Sequence, residues 1–373
     1  MRCINEVSAS ELKGKHILLR AGLDVSLEKG IVADSFRLHR AAKTILFLRE
    51  CGARTIIISH LGRSAESFEP VARELNKITP VSYVPDILGT QARAAIDTMR
   101  EGDVLLLENL RRDPRETEND EGFARELAVF GEIYVDDAFS NVHRAHASMV
   151  GVPKLLPSYA GILMCEEIRN LEPARNPPQS SLAIIGGSKF ETKEPLIEAF
   201  LKTYDHVFVT GALMNDVYKA QGLNVGRSLI SSGAPSQKVI NHPRLIIPCD
   251  VLVEEANGHT KVKRPRDIES GDKIVDIGPD SFAVLAPIIA RAKLVLWNGP
   301  SGLYEDGYIS WTHALAEAIA ESGAISIIGG NNTLAAIKSS GVAEEKFTFL
   351  STGGGAMLEY LLKGALPAIE VLG

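Results

Sequence analysis

Three consecutive glycines, Gly353, Gly354 and Gly355, lie between the apolar run Phe347–Leu350 and a helical pattern of Met357, Leu358, Leu361 and Leu362. The order reads strand, turn, helix. Such a turn leaves backbone N–H groups unshielded and aims them, with the positive end of the helix dipole, at whatever sits above; phosphates suit that place best. Similar clusters recur in the second half of the chain: Gly186-Gly187-Ser188-Lys189, Gly211, Asn298-Gly299-Pro300 with Gly302, and Gly329-Gly330. Lys189 and Lys193 stand one helical turn apart, so both can reach phosphates from a helix start. The first half carries cations and imidazoles instead: Arg20, Arg37, His60, Arg63, Arg111, His143, Arg144 and His146. Taken singly, each reads as a solvated charge or a hydrogen-bonded structural group. Gathered at one place, several guanidiniums would bind a small anion carrying phosphate or carboxylate, because the planar fork grips either. The first half would then hold an anionic acceptor and the second a nucleotide.

Both sets fall at the ends of short β-branched or aliphatic runs. Ile17–Leu19, Thr55–Ile58, Val81–Val84, Val104–Leu107 and Ile133–Val135 are the strand candidates of the first half. Leu182–Ile185, Val207–Val209, Leu245–Ile247, Leu294–Leu296, Ala324–Ile328 and Phe347–Leu350 are those of the second. Continuous apolar runs, interleaved with amphipathic helices, belong to strands covered on both faces and hence to parallel sheets. The expected class is α/β, with two doubly wound parallel-sheet domains facing a cleft and joined by a helix. That helix is predicted over residues 166–174, stopped by Asn176-Pro177-Pro178. The expected domains are 1–165 for the acidic substrate and 166–355 for the nucleotide. A C-terminal helix and tail, 356–373, follow, with a return to the first domain as one option.

The composition bounds the rest. A chain of 373 residues with 45% hydrophobic and 23% charged residues suits two globular domains. Its net charge of −7 argues against a nucleic-acid partner held by a general basic field. No apolar run approaches a membrane span and no leader is read at the N-terminus, so the expectation is a cytoplasmic protein with no membrane partner. Cys3, Cys51, Cys165 and Cys249 lie far apart without C-x-x-C spacing, and are expected to be plain buried thiols that staple nothing.

Ser59-His-Leu-Gly-Arg63, Leu106-Leu-Glu-Asn-Leu-Arg111, Asp137-Ala-Phe139 with His143–Ser148, Lys219-Ala-Gln-Gly222, Trp297-Asn-Gly-Pro300 and Ser351–Gly355 resemble, in that order, the motifs of the phosphoglycerate kinase family. The resemblance runs from about Gly14 to Gly355. It implies a hinge-bending, ATP-dependent phosphotransferase with a carboxyl acceptor, moving a phosphoryl group between 1,3-bisphosphoglycerate and MgADP to give 3-phosphoglycerate and MgATP. It implies Mg2+ and ATP/ADP as cofactors and a monomer. By position, Arg20, Asp24, Arg37, His60, Arg63, Arg111 and Arg144 resemble the family's substrate pocket. Lys189, Lys193, Gly211, Asn298, Glu305 and Thr333 resemble its nucleotide contacts, and Asn332 occupies the metal position. The chemistry suits these types: a carboxylate nucleophile needs no general base, so alignment and charge neutralisation suffice. Arg37, Lys193 and the amides of Gly353, Gly354 and Gly355 are the catalytic candidates.

Two departures qualify the resemblance. The family's Val-Asp-Phe-Asn-Val-Pro reads Ala21-Gly-Leu-Asp-Val-Ser26 here, so its glycerate-contacting Asp is Gly22 and its Asn is Asp24. Its Gly-Gly-Gly-Asp-Thr reads Gly329-Gly-Asn-Asn-Thr333, which puts Asn332 where a magnesium carboxylate stands. A kinase of another small carboxylate and an inactive ligand-binding homologue are therefore the alternative readings.

Overall fold

The computed structural model describes residues 1–62 and 66–372. It divides into two compact units, Met1–Arg169 with the chain from Ala365 onward, and Asn170–Gly364. The division falls inside the helix Ile162–Arg175, which begins four residues earlier than the sequence pattern predicts. Asp137 explains the early start: its Oδ1 accepts from the Met164 amide at 3.1 Å, capping the first turn. Any side chain at Gly161 would collide with that carboxylate, so glycine is required there.

The first unit is built on a sheet of six parallel strands, in the spatial order Ser82–Val84, Val104–Leu107, Arg54–Ile58, His16–Ala21, Ile133–Asp137, Ser158–Ala160. Ile17, Leu18, Leu19, Ile56, Ile57 and Ile58 are all fully buried, which is why their runs are continuous rather than alternating. The helix Phe36–Glu50 covers one face through Leu38, Ala41, Ile45 and Leu48.

The second unit repeats the plan with Leu245–Ile246, His206–Val209, Ser181–Ile185, Leu294–Asn298, Ile325–Gly329 and Phe349–Ser351 in spatial order, again all parallel. A three-stranded antiparallel sheet, Thr260–Lys263, Val251–Glu254 and Lys273–Ile277, is added to it and was not expected from the sequence. Its outer strand reads Thr-Lys-Val-Lys and is largely exposed, so it offers no apolar run. The C-terminal helix Gly355–Lys363 belongs to the second unit, and only the residues after Gly364 group with the first, where the Ala368 amide donates to Val142 O at 3.1 Å. Among the described residues no helix is long and apolar enough to cross a membrane.

The cysteines correct an expectation. Cys3 and Cys165 form a disulfide with Cα atoms 6.3 Å apart, while Cys249 is exposed and Cys51 partly buried. Spacing rules could not find the pair, because 162 residues separate its members. The fold unites them at the sheet edge: Cys3 bridges to Ala160 in parallel fashion, and Cys165 lies in the first turn of the helix that follows.

Candidate functional site

In the first unit the cations stand where the chain leaves the carboxyl ends of its strands. Arg20 is fully buried near the end of the central strand and is spent on protein partners. Its Nε donates to Ser148 Oγ at 3.0 Å, Nη1 to Ala21 O at 2.8 Å and Ser59 Oγ at 3.4 Å, and Nη2 lies 2.7 Å from His60 Nδ1. Arg37, at the head of its helix, donates from Nη1 to Asp24 O at 2.7 Å. Arg111 follows the strand Val104–Leu107 and donates to Gly62 O. Arg144 lies in the loop beyond Ile133–Asp137, with Nε 3.4 Å from His143 Nε2. Arg63 lies outside the described residues. Asp24 Oδ1 accepts from the Gly62 amide at 2.9 Å, and its Oδ2 is 3.6 Å from His60 Nε2. A Cβ added at Gly22 would meet its first neighbour only at 3.5 Å, so a side chain there is not excluded at its root.

The charges in this cluster push on one another. Burial, then Arg144, lowers Arg111 from its ordinary value. Burial, with Arg20, Arg144 and Arg111 facing it, drives His146 down to about 4, so this imidazole is neutral at physiological pH. Burial alone would raise the Asp24 carboxyl, yet His60, the Gly62 amide and Arg37 outweigh it and hold the group at about 2. The result is a set of mutually repelling guanidiniums with the Asp24 and Glu116 carboxylates among them, an arrangement that an incoming dianion would relieve. Sequence reasoning gave no role to three residues that build this cluster, Asn109, Glu116 and Ser148. Asn109 braces the His60 loop, accepting from the Leu61 amide at 3.2 Å and donating to Leu61 O at 3.0 Å. Buried Glu116 accepts from Ser148 Oγ at 2.6 Å and from the Ser148 amide at 2.9 Å.

In the second unit the glycine loops all follow strands of one parallel sheet. Gly186 and Gly299 pack backbone on backbone: a Cβ at Gly186 would lie 2.6 Å from Pro300 O, and one at Gly299, where φ is 100°, would lie 2.7 Å from Gly186 C. Asn298 and Thr333 are buried braces of these loops. Asn298 Nδ2 donates to Gly329 O at 2.8 Å, and Thr333 Oγ1 accepts from the Gly299 amide at 2.8 Å. A Cβ added at Gly211, where φ is 63°, would lie 3.2 Å from Gly187 N, and the Gly211 amide donates to Ser301 O at 3.1 Å. Beside Gly211 opens a mostly apolar cavity of about 230 Å³, lined by Ala212, Met214, Leu229, Ile274, Val275 and Leu303 among others. It is the right character for a heterocyclic base.

Lys189 is exposed at the start of the helix Phe190–Thr203, whereas Lys193 is half-buried, with Cε 3.7 Å from the Cβ position of Gly187. Burial pushes the Lys193 ammonium below its ordinary value, and among the described residues no carboxylate pairs with it. The exposed Asn332 donates from Nδ2 to the exposed carboxylate of Glu305.

The triple-glycine loop is open. Among the described residues nothing lies within 4 Å of a Cβ placed at Gly354 or Gly355; Gly354 needs its glycine for φ of 51°, but Gly355 has neither crowding nor positive φ to require one. A ligand above the loop would supply the missing reason. Gly355→Ala is therefore expected to leave the thermal midpoint unchanged or slightly raised, alanine being the better helix former, while lowering kcat roughly tenfold or more by displacing a bound phosphoryl. Melting curves beside steady-state rates check this, and a fully active variant would leave the glycine unexplained by ligand contact.

Comparison with known proteins adds an independent line. A family model described as phosphoglycerate kinase matches residues 7–364. A phosphoglycerate kinase of Herpetosiphon aurantiacus is 41% identical over 380 residues, covering 96% of each chain. The solved structure of phosphoglycerate kinase from Coxiella burnetii superposes with a TM-score of 0.83 at 34% identity, over 99% of this chain and 98% of that one. That from Pyrococcus horikoshii gives 0.87 at 27%, over 100% and 98%.

Proposed function

The chain belongs to the phosphoglycerate kinase family and transfers a phosphoryl group between 1,3-bisphosphoglycerate and ADP; we propose that it does so with the cation cluster of the first unit holding the acid and the glycine loops of the second holding the nucleotide. In the direction of ATP use, a carboxylate oxygen of 3-phosphoglycerate attacks the γ-phosphorus. The new P–O bond forms as the bond to the β-bridging oxygen breaks, with ADP leaving, and no proton need be removed from the nucleophile. Arg111 and Arg144 grip the substrate's 3-phosphate, and Arg37 faces the carboxylate end. Lys193 and the amides of Gly353, Gly354 and Gly355 take up charge on the transferring oxygens. The cavity beside Gly211 receives the base, with Lys189 at the outer phosphates. In-line transfer requires hinge-type closure to bring acid and nucleotide together and expel water.

The observation that carries this assignment is Lys193, a half-buried ammonium beside Gly187 with no carboxylate partner among the described residues. No group of three or more His, Cys, Asp and Glu able to hold a metal exists among the described residues, so no resident metal cage stands ready. The donors present suit magnesium carried on the nucleotide instead, since that ion takes one or two protein oxygens and keeps phosphate and water ligands. Because Asn332 donates its Nδ2 to Glu305, its Oδ1 remains as a ligand, with the Glu305 carboxylate adjacent. Magnesium there would neutralise charge on the β- and γ-phosphate oxygens. We place the protein in the cytoplasm as a monomer. The test is ATP turnover with 3-phosphoglycerate and magnesium, coupled to reduction of the acyl phosphate. A kcat of about 1–100 per second is expected. Absence of turnover at saturating substrate, in protein that still binds ATP, would overturn the reading.

A further inference from the structure

Arg20 carries the marks of a binding residue by type, yet every one of its guanidinium nitrogens already faces a protein acceptor, and the side chain has no exposure at all. What it does to its neighbour is more specific. A guanidinium can only donate. Since Arg20 Nη2 lies 2.7 Å from His60 Nδ1, that ring nitrogen must offer its lone pair, and the ring proton must reside on Nε2. We propose that Arg20 is a positioning residue that fixes His60 in the neutral Nε2–H tautomer, so that the imidazole presents a standing N–H donor to a substrate oxygen beside Asp24. This assignment of Arg20 rests on the phosphotransferase reading of the pocket only for what the donor meets, not for the tautomer itself.

The donor is only loosely engaged, by Asp24. His60 is 1% exposed, and its Nε2 is a buried atom without a hydrogen-bond partner among the described residues. Asp24 Oδ2, at 3.6 Å, is near enough to attract it and too far to satisfy it. A buried N–H left in this condition costs stability, and a ligand oxygen that accepts from it recovers that cost. An oxygen bridging Nε2–H and the Asp24 carboxylate would be best served by a hydroxyl, which accepts from the first and donates to the second. Gly22 has no side chain to offer, and Asp24 is the carboxylate beside His60 for that task.

Protonating the ring would undo the arrangement. An imidazolium would set Nδ1–H against the Arg20 N–H at 2.7 Å and add its charge to those of Arg20 and Arg111, with Asp24 opposing them. Burial is the main cause, and these cations add to it, in holding His60 down at about 3. The guanidinium is itself held: Arg20 Nε donates to Ser148 Oγ, which donates to the buried carboxylate of Glu116 at 2.6 Å. Glu116, Ser148, Arg20 and His60 thus form one relay of fixed donors and acceptors, of the kind that orients functional imidazoles elsewhere.

The experiment is long-range proton–nitrogen NMR of the full chain with labelled histidine, read without substrate or nucleotide, with His60 assigned by the loss of its signals in His60→Gln. An unprotonated Nδ1 and a protonated Nε2 are expected, unchanged from about pH 5 to about pH 8. A reversed pattern, or titration within that range, would overturn the proposal. Arg20→Met should release the tautomer and raise KM for 3-phosphoglycerate about tenfold with a smaller change in kcat; an unchanged His60 pattern in that variant would overturn it as well. Should Arg20→Met fail to fold, the wild-type spectrum still decides. A chain with the expected spectrum but no kinase turnover would sink the proposed function and leave the tautomer standing.

Discussion

Lys193→Met is expected to lower kcat/KM for phosphoryl transfer about 100- to 1000-fold, the range found when one preorganised donor to a transition-state oxygen is removed. The size follows from the setting of the ammonium. It sits on the first turns of the helix Phe190–Thr203, near the positive end of the helix dipole, with its Cε against the glycine loop that follows the strand Ser181–Ile185. Burial depresses it and no carboxylate among the described residues offsets that cost, so the free protein carries a partly desolvated cation at some expense to stability. Transferring phosphoryl oxygens, richest in charge at the transition state, are what would complete it. Two consequences separate this from ordinary structural damage. The variant should be at least as stable as the parent without nucleotide, because a hydrophobic side chain of similar length replaces an uncompensated charge. Its kcat should fall more than its affinity for ADP. Steady-state kinetics, calorimetric ADP titration and melting curves would read all three quantities. A variant with normal kcat, or one destabilised in proportion to its lost activity, would remove Lys193 from the catalytic set.

How far such residues could be read beforehand depends on what kind of information fixes them. The parallel sheets were legible because strands such as Val104–Leu107 and Ser181–Ile185 are buried along their whole length and carry it as uninterrupted apolar runs. Thr260–Lys263 hid for the opposite reason, being an exposed antiparallel strand with lysines at alternate places. Ser158–Ala160, at the sheet edge, is too short to announce itself. At the site, residue type was visible and direction was not. Arg20 and Arg37 look alike in sequence, but Arg20 turns inward because Ser148 and His60 wait for it across 128 and 40 residues of chain. Asn298 and Thr333, expected at the nucleotide, are seen bracing the loops that would hold it. These outcomes are set by long-range contacts, and no local pattern encodes them.

The same limit concealed the cysteine pair, and breaking it is the second large effect expected. Cys3→Ser, or reduction of the wild type, should lower the unfolding free energy of the first unit by roughly 2–4 kcal/mol, since the bond closes a long loop and restricts the unfolded chain. The loop runs over 162 residues and takes in nearly the whole first unit before the helix Ile162–Arg175 leaves it. In the cytoplasm, where thiols are kept reduced, both residues would stand as thiols and the unit would show its lower stability; oxidation by a disulfide such as oxidised glutathione would restore the higher one. That exchange balances: two thiols of the protein yield the bond as the oxidant's disulfide is reduced to two thiols. The chain contains its own control. Its two tryptophans, Trp297 and Trp311, both lie in the second unit. Urea unfolding followed by tryptophan fluorescence should therefore respond weakly to reductant, while the circular-dichroism transition that includes the first unit moves to lower urea. Cys3→Ser should already show the lower transition and ignore reductant altogether. Coincident curves for oxidised and reduced wild type would mean that the parallel bridge between Cys3 and Ala160, with the Ala160 amide donating to Arg2 O at 3.0 Å, holds the N-terminal segment without the covalent bond.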